Sequence, residues 1–190
     1  MNFFTKLFWR LRNLNFGLET TINKGLIIKG NIKGIKIGKN VYIGKNVEMK
    51  IRDASQIIIE DNSKIDDGVR IISANNSIVR IGHNSKIMFY SIVNGGADIT
   101  IGSKTAIAAF SMVNSSSHEQ LKNTDFMDQG YLHDPIYIGR DVLIGSHSSI
   151  LPGSNVGDGC IVTTHSVVQG DTGEYVVLSG IPVRPVKRRT

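Results

Sequence analysis

Residues 138–159 read Ile138-Gly139-Arg140-Asp141-Val142-Leu143, Ile144-Gly145-Ser146-His147-Ser148-Ser149, Ile150-Leu151-Pro152-Gly153-Ser154-Asn155, Val156-Gly157-Asp158-Gly159. The aliphatic anchors Ile138, Ile144, Ile150, Val156, Val162 and Val168 keep an unbroken period of six. Neither the helical period of about 3.6 nor the strand period of about 2 produces such spacing. Upstream the anchors recur in triplets: Ile37, Ile43 and Met49; Ile59, Ile65 and Ile71; Ile81, Ile87 and Val93; Ile101, Ile107 and Val113. Each triplet is expected to form one triangular coil, with the anchors inward and Gly, Asn and Asp at the corners. The predicted fold is all-β: a left-handed parallel β-helix of about six coils, whose core exists only through stacking.

Triplets begin at 37, 59, 81, 101, 138 and 156, so the intervals are 22, 22, 20, 37 and 18 residues. Eighteen residues close a coil. Surpluses of four, four and two predict small corner bulges, and the surplus of 19 predicts an external loop over 114–137. Six coils at one strand spacing each make a prism about 29 Å long.

The 190 residues suit one domain, which the repeat is expected to fill over 18–168. Residues 1–17 carry Phe4, Leu7, Phe8 and Leu11 at helical spacing, and an amphipathic helix capping the prism is expected there. The basic residues Lys6, Arg10 and Arg12 among them suggest a second reading, peripheral contact of residues 1–12 with a membrane. Residues 169–190 are expected to run back from the last coil as an extended tail. No run approaches the ~20 apolar residues of a membrane span. With Cys160 as the single cysteine, an internal disulfide is impossible, and a reducing, cytoplasmic setting is the simplest expectation. The net charge of +6 is concentrated at the two ends, which argues against a nucleic-acid footprint and for a small anionic ligand.

The run from Ile138 to Lys187 resembles the hexapeptide-repeat acyltransferases, most closely the sugar and cell-surface polysaccharide O-acetyltransferases. Ile138-Gly139, Val142 through His147, Ile150 through Gly153, Val156 through Gly159, Ser166-Val167-Val168 and Ser179 through Pro182 carry the likeness. The resemblance implies a homotrimer with active sites between subunits, acetyl-CoA as co-substrate, no metal, and a saccharide acceptor. It implies a catalytic His sixteen residues after an Ile-Gly pair, and His118 stands sixteen residues after Gly102. It also implies a backbone N–H donor to the oxyanion at Ser146, and a CoA path along Gly145, Ser146, Thr163, Thr164 and Gly180. Arg184, Lys187 and Arg188 match the family's basic tail, which suits the phosphates of CoA.

Acetyl transfer to an alcohol needs a base, because a hydroxyl is a poor nucleophile near neutral pH, and imidazole titrates in that range. His133, at the far end of the same loop, is the alternative base, and Glu119 is a candidate to orient an imidazole. Met88, Tyr90, Leu143 and His147 are the expected acceptor contacts. His83 and His165 are expected to face solvent, and Cys160 to be a small corner residue of the repeat. Several positions depart from the family: Leu143 where Trp is usual, Thr163-Thr164-His165 where Gly-Ala-Gly is usual, and no Asn in Met88-Phe89-Tyr90. These departures argue against a galactoside or maltose enzyme and leave cell-surface glycans as the expected acceptors. Three other functions remain open on sequence: N-acetylation of an amino-sugar, a γ-type carbonic anhydrase using His83 and His118, and a non-catalytic scaffold.

Overall fold

The computed structural model describes residues 8, 9 and 11–190. The chain winds through three faces. Seven parallel strands stack on the first face, from Asn15–Phe16 to Asn155–Val156, and seven on the third, from Ile27–Lys29 to Val167–Val168. The second face runs from Thr21–Ile22 to Ile161–Val162 and is extended by a hairpin of Val176–Gly180 and Val183–Arg188. The prism therefore has seven full coils, and the expected count of about six is corrected. The additional coil is the first, anchored at Phe16, Ile22 and Ile28. It keeps the six-residue spacing but opens on Phe and lacks the repeated Ile-Gly pairs. Its first strand begins at Asn15, inside the segment expected to form the cap.

Anchor sits above anchor. Ile37 pairs with Ile59, Ile59 with Ile81, Ile81 with Ile101, Ile101 with Ile138 and Ile138 with Val156. These side chains are buried in one continuous core. The edges are held by buried hydroxyls that bridge successive coils. Ser85 donates to the Gly102 carbonyl and accepts from the Thr105 N–H; Thr105 donates to the Gly139 carbonyl and accepts from the Val142 N–H. Ser91, Ser111, Ser148 and Ser166 form the same chain at the next edge. Each bond satisfies a backbone group that the tight corner would otherwise bury unpaired. Cys160 occupies the same kind of position: its fully buried thiol donates to the Gly173 carbonyl, in accord with the expected corner role.

The coil needs a left-handed residue at its corners, and Asn is the residue most often found there besides Gly. Asn40, Asn62 and Asn84 have φ of 51°, 60° and 57°, and the Asn40 amide donates to the Asn62 side chain. Asn tolerates this conformation because its short polar side chain bonds locally.

The surplus residues lie at one edge, between the third and first faces: 30–34, 52–55, 74–77, 96–98 and the long 115–135 connection. The open N-terminal end is covered by Trp9 and Leu14, which join the core, while Phe8 and Leu11 remain exposed. The expected apolar face of residues 1–17 is corrected to that extent; Phe4 and Leu7 lie outside the described residues. The C-terminal segment folds back in extended strands that pair as a hairpin, and Arg189 fixes it by donating to the Asp141 carboxylate at 2.9 Å and to the Gly159 carbonyl. Among the described residues, no helix is long and apolar enough to cross a membrane.

Ile87→Ala removes a fully buried side chain from the middle of the stack. It is expected to cost about 2–5 kcal/mol in urea unfolding. Asn62→Ala, at a left-handed corner, is expected to cost about 1–2 kcal/mol. Unfolding midpoints unchanged by either substitution would contradict the stacking scheme.

Candidate active site

The 115–135 connection is itself ordered. Ser116–His118 and Tyr131–His133 form an antiparallel pair, with Ser116 opposite His133 and His118 opposite Tyr131. A single 3-10 turn at Phe126–Asp128 shapes the tip. The hairpin folds back along the surplus-bearing edge over Gly96 and Asn75. A Cβ at Gly96 would run into the Ser116 hydroxyl and the His133 ring, so only glycine allows this approach.

His118 packs between aromatic rings, with centroids 4.7 Å from Phe126 and 4.3 Å from Tyr131. Its Nδ1 is buried and has no hydrogen-bond partner among the described residues. Among the described residues no hydrogen bond engages Nε2 either, so neither ring nitrogen is held by a partner. Glu119 does not orient this imidazole: its carboxylate accepts the Gly130 N–H and closes the hairpin. His133 has both nitrogens engaged. The Asn75 amide donates to Nε2 at 3.0 Å, and Nδ1 meets the Ser116 hydroxyl at 3.0 Å. An amide N–H can only donate, so Nε2 accepts and its lone pair is occupied. His133 consequently fits a structural role better than that of a base.

Between the hairpin and the prism lies a cleft of about 270 Å³ lined by Arg52, Ile72, Ala74, Asn75, Asn94, Gly96, Ser116, Tyr131 and His133. The sequence reading singled out His133 alone of these. The clustered surplus residues were the available signal, since they mark the edge where the wall is built.

The other expected site residues lie elsewhere. Met88, Tyr90, Gly145, Ser146, His147, Thr163 and Thr164 all fall at the edge between the second and third faces. Leu143 is exposed on the second face, and Gly180 ends its strand on the same side. Arg184, Lys187 and Arg188 lie exposed on the final strand. The Thr163 hydroxyl donates to Ser179, tying this edge to the terminal hairpin. Tyr90, Phe110, His147 and His165 form a ladder there. Successive centroids stand 5.5, 5.1 and 4.9 Å apart, and each residue has φ between 54° and 59°. Bulky residues rarely adopt that conformation, and the coil spacing that imposes it also sets the stacking. His165 faces solvent as expected; His83 does too, at the edge between the first and second faces, 3.8 Å from Glu60.

Within one chain, His118 and Ser146 therefore belong to different edges of the prism. One face of the triangle separates them, and a six-residue side spans at most about 20 Å. Among the described residues, no three of His, Cys, Asp and Glu gather as a possible metal-binding group.

A parallel β-helix with an ordered hairpin over one edge defines the structural class. Residues 34–73 and 135–168 match the hexapeptide repeat of succinyl-transferase. The chain is 28% identical over 184 residues to Rv3034c of Mycobacterium tuberculosis, a probable acetyltransferase, covering 96% of this chain and 56% of that protein. It is 25% identical over 146 residues to WbbJ of Escherichia coli, named for O-acetyl transfer in lipopolysaccharide biosynthesis, covering 73% of this chain and 74% of that one. Its fold matches the N-acyltransferase AntD of Bacillus cereus, in the complex of a point mutant with dTDP and coenzyme A. There the TM-score is 0.69 at 23% identity, covering 97% of this chain and 89% of that one. The chain carries the hexapeptide repeat and is similar to acyltransferases along most of its length.

Gly96→Ala is expected to push the hairpin off the edge while leaving the prism folded. Trypsin cleavage after Lys122 should accelerate about tenfold with little change in the main unfolding transition. An unchanged cleavage rate would contradict the close approach.

Proposed function

We propose that this protein transfers an acetyl group from acetyl-CoA to a hydroxyl of a saccharide, with His118 as general base. The observation that carries the reading is the imidazole of His118, held between Phe126 and Tyr131, with the Tyr131 side chain also lining a polar cleft. Nε2 removes the acceptor's hydroxyl proton as the oxygen attacks the thioester carbonyl. The tetrahedral oxyanion is stabilised by a preorganised N–H donor, for which Ser146 is the candidate. Collapse of the intermediate breaks the C–S bond, and the proton on His118 passes to the departing CoA thiolate.

His118 and Ser146 stand on different edges, so one chain does not hold both in one site. A closed oligomer, for which a trimer is the simplest arrangement, would set the hairpin edge of one copy against the second edge of the next. CoA would then lie along Gly145, Ser146, Thr163, Thr164 and Gly180, with Arg184, Lys187 and Arg188 near its phosphates. Met88, Tyr90, Leu143 and His147 stand at or beside that same edge and are available to the acceptor. A partner group at this contact could also satisfy Nδ1 of His118, whose isolation otherwise costs about 1–3 kcal/mol.

The second reading is N-acylation of an amino-sugar, favoured by the fold match to AntD. Thiol release from acetyl-CoA, assayed with matched hydroxyl and amino-sugar acceptors, separates the two. His118→Ala is expected to lower kcat by about 10² or more, and replacing Arg184, Lys187 and Arg188 together by Ala to raise KM for acetyl-CoA about tenfold. Full turnover in His118→Ala would overturn the assignment of the base.

A further inference from the structure

We infer that the cleft beneath the hairpin recognises a negatively charged group on the acceptor, making an anionic saccharide the substrate class. This inference rests on the acetyl-transfer reading for the identity of the acceptor, while the cleft's charge stands independently of it.

The lining contains one permanent cation, Arg52, and no carboxylate. Arg52 forms no ion pair or side-chain hydrogen bond among the described residues. Two acids at corners of the same edge are turned to the backbone. Asp53 accepts the Asn75 N–H at 3.0 Å, and Asp98 accepts the Ile78 N–H at 2.8 Å. Lys50 stands in register beside the cleft residue Ile72. The remaining polar lining consists of neutral groups: the amides of Asn75 and Asn94, the Ser116 hydroxyl, the Tyr131 phenol and the doubly engaged His133.

A free guanidinium beside neutral hydrogen-bonding groups is suited to a planar anion, because its fork of N–H donors matches two oxygens at once. The neutral amides, hydroxyl and phenol suit the hydroxyls of a sugar ring. The cleft also communicates with the proposed base. Tyr131 lines it, and the same ring lies 4.3 Å from that of His118. An anionic group seated at Arg52 would hold a ring hydroxyl of the same saccharide toward Nε2 of His118. The anion could be a sugar carboxylate or the phosphate of an activated sugar; both are oxyanions that a guanidinium binds in the same way.

Ligand binding by saturation-transfer NMR, on intact protein without acetyl-CoA, tests the assignment. Galacturonate and galactose differ in the C6 carboxylate, and UDP-galactose supplies phosphate. Wild type is expected to bind galacturonate, UDP-galactose or both at least tenfold more tightly than galactose. Arg52→Ala should remove that preference, and Arg52→Lys should keep part of it. A preference confined to galacturonate identifies a carboxylate site, and one confined to UDP-galactose a phosphate site. Equal binding of all three, or a preference unchanged in Arg52→Ala, would overturn the inference. In turnover, Arg52→Ala should raise KM for the anionic acceptor about tenfold and leave KM for acetyl-CoA unchanged. Arg52-dependent binding with no acetyl transfer to any acceptor would sink the proposed activity and leave the anion site standing.

Discussion

The whole molecule depends on the stacking of one coil upon the next. A single coil turns its apolar side chains inward with nothing above or below them, and so has no core. Its strands, some only two residues long, have no partner within the coil. Placing Ile59 over Ile37 and Ile81 over Ile59 buries the apolar side chains and pairs the backbone in the same movement. The hydroxyls of Ser85, Thr105, Ser111 and Ser148 extend that pairing around the corners, where the backbone turns too sharply to pair along a strand. The register is therefore strict on the faces. A residue inserted within a face would turn anchors outward in that strand.

Edges escape that constraint, and the proposed chemistry lies on them. One edge absorbs the insertions, first as short corners and then as the His118 hairpin. Because those insertions lie above one another, the hairpin can fold back over corners from earlier coils. Asn75, Gly96 and Arg52 thus meet residues far along the chain. The next edge stays short and regular, and there the coil spacing brings Tyr90, Phe110, His147 and His165 into a stacked ladder. Two edges with different properties on one rigid prism suit a catalytic site in which one edge supplies the base and the other supplies the donor-binding surface.

The fold was legible in the sequence because the six-residue period is a direct copy of the coil geometry. The first coil escaped notice because Phe16 replaces the usual aliphatic anchor, although the spacing to Ile22 and Ile28 was intact. The distance from Gly102 made His118 a candidate base, and the corner place of Cys160 was legible through the repeat. Arg52, Asn75 and Gly96 were not legible as site residues. They lie 66, 43 and 22 positions before His118, and only the return of the hairpin brings them to one cleft. Likewise the apolar spacing of residues 1–17 pointed to Phe8 and Leu11, whereas burial falls on Trp9 and Leu14. Helical periodicity names a face, and the contact with the first coil decides which face is used.

The division of the site between two edges is most directly tested by mixing two inactive variants. His118→Ala spoils the hairpin edge, and Thr164→Trp obstructs the exposed surface of the other edge. Each should be inactive alone. Unfolded and refolded together in equal amounts, they should regain about a quarter of wild-type acetyl transfer, because some contacts then join two intact edges. No recovery from mixtures that do form mixed oligomers would contradict a shared site and place the whole reaction within a single chain.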